Sequence, residues 1–545
     1  MATPYSASST SIAGPSIAPS NASTPHKGKE RSFRDDSDDC DRISYRREYP
    51  LDEVWSQQNL LSLDGGGIRG YWSLLVLKKL MKAIAAEERR QAYLKGSDNS
   101  LHSFLPHAYP EGATQGPLNG KELARKNGET DICNFLRDSR KFLPCHYFDY
   151  ICGSSTGALI AIMLGRFRMT VHDCLREYET MSNIIFGRPR LVSQRNIAIV
   201  PWSKYSAAAM ERALKDVTAR RCEVNQQLHN VKFPSPAGIC KTFVTTYKYE
   251  RTKGSKGSQT TLYLLRSYDH EEKEDLPLQD RRRTGTGQSN RAHRKNFGKA
   301  DALHIWEVAR AATAAPMYFK EIVFQRNSIE GGTEMFFSDG GFGQTNNPTQ
   351  EGILEIASLH GKHNVGAVVN IGTSKDTLES GGKSIFKRVR EFVDRATDPT
   401  IVAGQLDGRD LYWRFNDDRG LGVELDDWKP SGFSTRDPGH KTLRKIRTQF
   451  NRWAKNSSNT RHIEQCAREL VARRRRRADD ATLWEAYATG AVFICGYSAC
   501  NNAQFENGDR LGEHLEEKHA VPPEESKKTV RRMTKRWLYQ TPPKT

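Results

Sequence analysis

One serine in this sequence stands in a pattern that is typical of enzymatic nucleophiles. Ser155 is the central residue of GSSTG at 153–157, a G-x-S-x-G motif. The apolar run 148–152 before the motif predicts a buried strand, and the small apolar residues 158–160 after it predict the start of a helix. A nucleophile elbow needs this order of strand, tight turn and helix, with the serine exposed at the apex. The alternative is a serine in an ordinary glycine turn, which the flanking strand and helix signals disfavour.

A second glycine-rich turn has the properties of an anion site. The segment DGGGIRG at 64–70 follows an apolar strand signal at 59–63 and precedes a helix signal that begins near Trp72. Several backbone N–H groups beside a positive helix end form a nest for an anion. The anion could be a nucleotide phosphate or a developing oxyanion. A phosphate loop is disfavoured because neither G-x-x-x-x-G-K-[ST] nor G-x-G-x-x-G occurs here.

A serine hydroxyl also needs a base to take its proton. A Ser-His-Asp hydrolase places its histidine in a loop at the end of the sheet, after the serine and the acid in chain order. None of the histidines after Ser155 follows a convincing strand signal. Asp339, in contrast, closes an apolar strand signal and is followed by Gly340 and Gly341, so its carboxylate can approach another turn closely.

The order of these motifs resembles that of the patatin-like phospholipases. The resemblance covers residues 57 to 375 and rests on four motifs in order: DGGGIRG, GSSTG, DGG at 339–341 and NNP at 346–348. The extended C-terminal part is like that of fungal members. The resemblance implies a three-layer α/β/α fold with a mostly parallel central sheet, to which helix and strand signals alternating after residue 305 also point.

The resemblance further implies hydrolysis of lipid acyl esters by a Ser-Asp dyad, of phospholipase A, lysophospholipase or acylglycerol lipase type, without a catalytic cofactor. Arg69 would position the oxyanion turn or bind anionic head groups. The site residues it implies are the nucleophile Ser155, the base Asp339, the elbow glycines Gly153 and Gly157, and an oxyanion hole at Gly65, Gly66, Gly67, Ile68 and Arg69.

A second constellation lies near the C-terminus. Cys495, Cys500, His514 and His519 have the spacing C-x4-C-x13-H-x4-H, with Phe505 and Leu511 between them. This resembles a two-Cys/two-His zinc finger, in which a hairpin carries both cysteines and a helix both histidines. The spacing therefore predicts a structural zinc site, which could contact nucleic acid or protein. The alternative is a small helical hairpin with buried thiols.

Composition divides the 545 residues into five predicted parts. These are a disordered Ser/Pro-rich tail (1–54), a catalytic domain (55–375) with surface insertions at 86–145 and 271–299, a basic helical extension (376–488), the zinc-finger-like segment (489–522) and a basic tail (523–545). The net charge of +18 favours an anionic partner, a membrane surface or nucleic acid, although a solvated basic surface explains it equally well.

Several features bear on location. No secretory signal is evident at the N-terminus, no apolar run is long enough to span a bilayer, and the 10 cysteines are thinly spread. We expect a cytoplasmic protein that associates peripherally with membranes, with the nucleus as an alternative. The rival function is a zinc-finger regulatory or nucleic-acid-binding protein that uses the hydrolase fold as a scaffold.

Overall fold

The computed structural model of the protein describes residues 51–95, 142–187, 204–221, 231–235, 238–252, 260–270, 296–316, 318–326, 333–342, 345–374, 406, 409–428, 438–480, 483–484, 487–488, 490, 492–501, 503–505, 508–533 and 535–536. Most of the predicted N-terminal tail, most of the two predicted insertions and the last nine residues lie outside the described residues.

The described helices are α1 Leu51–Ser56, α2 Gly70–Lys95, α3 Thr156–Ala161, α4 Val171–Phe186, α5 Ala207–Arg221, α6 Ile305–Ala312, α7 Thr349–His360, α8 His440–Ala454, α9 Ser457–Arg477, α10 Gly508–His519 and α11 Pro523–Arg532. The described strands are β1 Gln58–Leu63, β2 Tyr150–Ser154, β3 Lys241–Thr252, β4 Thr261–Arg266, β5 Ile322–Arg326, β6 Thr333–Asp339, β7 Val365–Ile371, β8 Tyr412–Phe415, β9 Val492–Ile494, β10 Gln504–Phe505 and β11 Lys535–Arg536.

A mixed sheet forms the centre of the fold, in the order β5-β6-β3-β2-β1-β7-β8, with β4 also paired to β3. Strands β3, β2, β1, β7 and β8 run parallel to one another. Strands β4 and β6 each pair antiparallel with β3, and β5 pairs antiparallel with β6. Because the carboxyl ends of parallel strands meet at one edge, the turns after β1 and β2 lie side by side, where α/β proteins bind ligands.

Two hydrophobic clusters cover opposite faces of the sheet. One contains the inward residues Leu61, Ile151 and Val369 with α2, α3 and α4. The other contains the alternate residues Leu60, Tyr150 and Val368 with Ile356 of α7. Since successive residues of a strand point to opposite faces, strands buried on both sides must be apolar throughout. This arrangement confirms the predicted three-layer α/β/α fold.

Residues beyond 375 take part in the same core. Strand β8 pairs in parallel with β7, and α8 and α9 pack against α2. The boundary predicted at 375 therefore does not mark the end of a compact unit.

The arginine run at 473–477, predicted to lie on a basic helical extension, is mostly buried. Arg474 and Arg475 of α9 both pair with Glu88 of α2, at 2.9 and 2.7 Å from Nε to the carboxylate. Arg477 pairs with Asp149 just before β2, at 2.7 Å. Buried charges require such partners. Arg474, Arg475 and Arg477 therefore fasten α9 to α2 and to the start of β2, and within the run only Arg476 is not buried.

The C-terminal segment forms a second small sheet in the order β10-β9-β11. Its core contains Phe493, Leu511 and Leu515, together with Val530 of α11. Helix α11 and strand β11 lie within the predicted basic tail, so the small unit extends beyond residue 522 to at least 536. Within the described part of the chain, none of the helices has the length and apolar run that a bilayer span requires.

Candidate active site

Ser155 lies in a strained turn between β2 and α3. Its φ is 53°, in the left-handed region that residues other than glycine rarely adopt. A Cβ added to Gly153 would come within 2.1 Å of the Gly157 carbonyl oxygen, and one added to Gly157 within 2.2 Å of the Leu63 oxygen. The motif therefore needs both glycines for close backbone approach. Strain at a single residue held by its surroundings is common at reactive sites.

Ser155 and Asp339 are brought together by strand β3. Ser154 pairs with Thr245 on one side of β3, and Asp339 pairs with the adjacent Thr246 on the other. The Ser155 Oγ donates a hydrogen bond to Asp339 Oδ2 at 2.6 Å. The other carboxylate oxygen, Oδ1, accepts from the Gly341 N–H at 2.7 Å. Two predicted site residues 184 positions apart are thus in direct contact.

Burial makes the Asp339 carboxylate unusually basic. The side chain is 1% exposed. Loss of solvent raises the pKa of Asp339 from 3.8 to about 7, although the hydrogen bonds from Ser155 and Gly341 act in the opposite direction. A base is most effective when its pKa is near the working pH. No histidine occurs among the described residues that line the cleft around this pair.

The predicted oxyanion turn lies against the serine, and a Cβ added to Gly65 would be 3.1 Å from the Ser155 Cβ. Three of its five N–H groups are already used. Gly65 donates to the Asn346 oxygen at 3.0 Å, Ile68 to the Leu425 oxygen at 2.7 Å, and Arg69 to the Gly66 oxygen at 3.1 Å. Among the described residues, the N–H groups of Gly66 and Gly67 have no acceptor. Only these two are available for an oxyanion in this conformation.

Two residues that sequence reasoning did not assign to the site hold this turn. The Tyr178 hydroxyl donates to the Gly67 oxygen at 2.7 Å and contacts the Thr156 hydroxyl at 2.7 Å, so it joins the turn to the residue after Ser155. The Leu425 oxygen lies where a Cβ on Gly67 would be, at 2.0 Å. Tyr178 had only an apolar context in the sequence, and Leu425 contributes its backbone, which no side-chain pattern reveals.

A hydrogen-bond network below the turn fixes Asp64, the residue between the end of β1 and Gly65. Asp64 accepts from Asn370 of β7 at 2.7 Å and from Arg414 of β8 at 3.1 Å. Burial raises the pKa of Asp64, and the positive charge of Arg414 opposes that rise. The basic segment beyond 375 thus supplies Arg414, whose positive charge lies beside Asp64 below the turn.

The cleft above the serine has about 890 Å³ of space, including the part that is open to solvent. Its walls are mainly apolar, and Arg69 and Asp426 are the charged lining residues besides Asp339. Asp426 accepts a hydrogen bond from Tyr205 at 3.0 Å and pairs with Lys204. The apolar lining comes chiefly from α4, α5 and the segment after α6 and includes Leu159, Met181, Ile185, Phe186, Met210, Tyr318 and Phe319.

The four predicted metal ligands converge away from this cleft. The ligand atoms of Cys495, Cys500, His514 and His519 all lie within 4.8 Å of one another. The hairpin β9–β10 carries the cysteines and α10 carries the histidines. The seven described cysteines, these two included, are free thiols.

A family of known proteins matches the part of the chain that contains Ser155 and Asp339. Residues 134–353 match the family model of the patatin-like phospholipases. The matched stretch is 220 of the 545 residues, and this part of the chain is similar to a patatin-like phospholipase domain. Ser155 and Asp339 lie inside the matched range, whereas the glycine turn at 65–67 and the Cys/His cluster lie outside it.

The patatin-like domain has homologues among phospholipases. Human calcium-independent phospholipase A2-gamma is 26% identical over 357 residues, which are 62% of this chain and 40% of that protein. The mouse protein of that name is 26% identical over 283 residues, 50% of this chain and 31% of its own length. Phospholipase A I of Arabidopsis thaliana is 26% identical over 322 residues, 53% of this chain and 23% of its own. The chain thus spans less than half of these relatives, and its likeness to fungal members stays a prediction.

The raised pKa of Asp339 predicts a pH profile. We expect kcat/KM on a short-chain p-nitrophenyl ester to rise with pH through an inflection at about 7 and then to level off. At pH 5 the rate should be about 100-fold lower, because only about 1% of the base is ionised. Unfolding would not explain the loss: a carboxyl with a raised pKa binds its proton more tightly in the native state, so protonation at this site stabilises the fold. Thermal unfolding at each pH is the control, and a profile that is flat from pH 5 to 8 would contradict the assignment.

Proposed function

We propose that the protein is a lipid acyl hydrolase that cleaves carboxylic esters through a Ser155–Asp339 dyad and an acyl-enzyme. The observation that carries the proposal is the 2.6 Å hydrogen bond between a strained serine and a buried carboxylate with a raised pKa. The phospholipase homologues support a lipid ester as the substrate.

In the first half-reaction, Asp339 Oδ2 accepts the Ser155 proton as Oγ attacks the ester carbonyl. The carbonyl oxygen becomes an oxyanion, which we assign to the N–H groups of Gly66 and Gly67. Removing one such donor typically costs about 10²–10³ in kcat. Asp339 then gives the proton to the departing alcohol or lysolipid oxygen, and the fatty acyl group remains on Ser155.

In the second half-reaction, Asp339 takes a proton from water, and the hydroxide formed attacks the acyl-enzyme. The oxyanion forms again in the same turn. Its collapse returns the proton to Ser155 and releases the fatty acid. One residue therefore serves as base and acid alternately, for which a pKa of about 7 is well suited.

The cleft supports an acyl chain as the group bound beside the serine. Its lining is mainly apolar, and the free energy of transferring methylene groups from water favours an alkyl tail there by about 0.8 kcal/mol per CH₂. The polar head group would lie toward Arg69, Lys204 and the exposed side. We propose that the enzyme acts at a cytoplasmic membrane surface, as the basic charge balance favours.

Substitution of the dyad tests the reaction. Ser155→Ala and Asp339→Asn should each lower ester hydrolysis by at least about 10³-fold, because members of such a unit act together. The measurement is fatty acid release, followed by mass spectrometry, from phosphatidylcholine micelles with different chains at the two positions.

The matched controls are Ser235→Ala and Asp301→Asn, which remove a hydrogen-bonded hydroxyl and a partly buried carboxylate elsewhere. Both controls should keep wild-type rates. Full activity of Asp339→Asn would exclude the dyad, and duplex DNA binding that persists at high salt without any ester hydrolysis would favour the regulatory alternative.

We also propose that Cys495, Cys500, His514 and His519 bind one structural zinc ion. Bond lengths of about 2.3 Å to sulfur and 2.0–2.1 Å to nitrogen in a tetrahedron imply about 3.6 Å between a sulfur and a nitrogen ligand. Three such pairs here lie at 3.1, 3.3 and 3.4 Å, all through Nε2. Tyr497 stacks on the His519 ring, which supports a fixed ligand orientation.

Metal analysis of the full-length protein tests this site. We expect about one zinc per chain, lost in Cys500→Ser and His519→Gln but retained in Cys174→Ala and the exposed His363→Gln, because only the first pair removes ligands. Chelation should destabilise the C-terminal unit and leave ester hydrolysis intact. A wild-type protein that holds no zinc and takes up none from added Zn²⁺ would refute the proposal.

A further inference from the structure

A side chain outside the glycine turn holds one of its peptide groups. Thr373, two residues after the end of β7, donates from Oγ1 to the Gly65 oxygen at 2.9 Å. It is 5% exposed, and a Cβ added to Gly66 would come within 2.2 Å of its Oγ1. Among the described residues, no other group donates to the Gly65 oxygen. Thr373 does not line the cleft, so its contact is with the turn and not with a bound substrate.

The geometry of a trans peptide gives this contact a consequence. The C=O of one residue and the N–H of the next point in opposite directions across the same rigid plane. Fixing the Gly65 carbonyl on the Thr373 side therefore directs the Gly66 N–H to the other side. That N–H is one of the two in the turn that have no acceptor within the described chain.

The neighbouring peptides are fixed by other means. The Gly66 oxygen accepts from the Arg69 N–H at 3.1 Å and from Arg69 Nε at 3.4 Å, within the turn itself. The Gly67 oxygen accepts from Tyr178. The Gly65–Gly66 peptide differs from these two, because its carbonyl oxygen is held by the hydroxyl of Thr373, which follows β7. Glycines leave a backbone free to rotate, so an oriented donor here needs an external partner.

We propose that Thr373 is a positioning residue of the oxyanion hole: its hydroxyl holds the Gly65–Gly66 peptide so that the Gly66 N–H faces the oxyanion formed on attack by Ser155. This inference rests on the proposed hydrolase function. Hydrogen-bond donors that are oriented before the reaction need no reorganisation as charge develops. Thr373 thus acts on the transition state through Gly66, without touching the substrate.

Removal of the hydroxyl tests the proposal. Thr373→Val should lower kcat by about 10- to 100-fold, less than complete loss of a donor, with KM within about twofold, because the contact acts only when the oxyanion forms. Affinity for a long-chain alkyl trifluoromethyl ketone, whose serine adduct carries an oxyanion, should fall by the same factor. Thr373→Ala checks that the result is not caused by the Val methyl group pressing on the Gly65 oxygen.

Two variants serve as controls. Thr373→Ser keeps the hydroxyl and should retain kcat and ketone affinity within about threefold of wild type. Thr218→Val removes an equally buried threonine hydroxyl, bonded to the Leu214 oxygen in α5, and should change neither. A purely structural role for Thr373 would lower thermal stability without a matching loss of ketone affinity.

The outcomes separate the two proposals. Wild-type kcat and ketone affinity in both Thr373→Val and Thr373→Ala would overturn the positioning role while the hydrolase proposal stands. A loss of kcat with unchanged ketone affinity would overturn it as well. Absence of ester hydrolysis in the wild-type protein, in contrast, would remove the hydrolase proposal itself.

Discussion

The hydrogen bond between Ser155 and Asp339 is the interaction on which the arrangement of the site depends. It joins the turn after β2 to the end of β6 across β3, at the carboxyl edge of the parallel strands. In the proposed reaction the value of this contact comes from burial, since an exposed aspartate would be too weak a base to take a serine proton. The fold must therefore keep this carboxylate away from water, and the layers on both faces of the sheet do so.

The surrounding structure meets that requirement with parts from distant regions of the chain. The turn at Ser155 needs Gly153 and Gly157 because other backbone segments approach it closely there. The glycine turn after β1 is held by hydrogen bonds with Asn346, Leu425, Tyr178 and Thr373. Strand β8 brings Arg414 to the buried Asp64, and α9 is fastened by arginines to Glu88 and Asp149. The segment beyond 375 thus supports the site, because its loss would remove the Leu425 oxygen and Arg414 from the turn that we propose receives the oxyanion.

Much of this was predictable from local pattern. Apolar runs, glycine-rich turns after β1 and β2, and an aspartate closing a strand predicted a mostly parallel sheet and singled out Ser155 and Asp339. The resemblance of these motifs to those of the patatin-like phospholipases implied the three-layer fold and the pairing of the two residues. Local pattern could not show which N–H groups of the turn are already bonded, because those bonds go to backbone oxygens far away in sequence. For the same reason Thr373 and Tyr178 had no signal. The burial of the arginine run had no signal either, because each buried guanidinium has a carboxylate or carbonyl partner that a single sequence does not reveal.

Detection of the acyl-enzyme is the most direct test of the account. The full-length protein would be mixed with a long-chain p-nitrophenyl ester, quenched in acid during turnover and digested for mass spectrometry. We expect one acyl group per chain on the peptide that contains Ser155, with none in Ser155→Ala. Turnover without any acylated peptide, or an acyl group on a different residue, would contradict it.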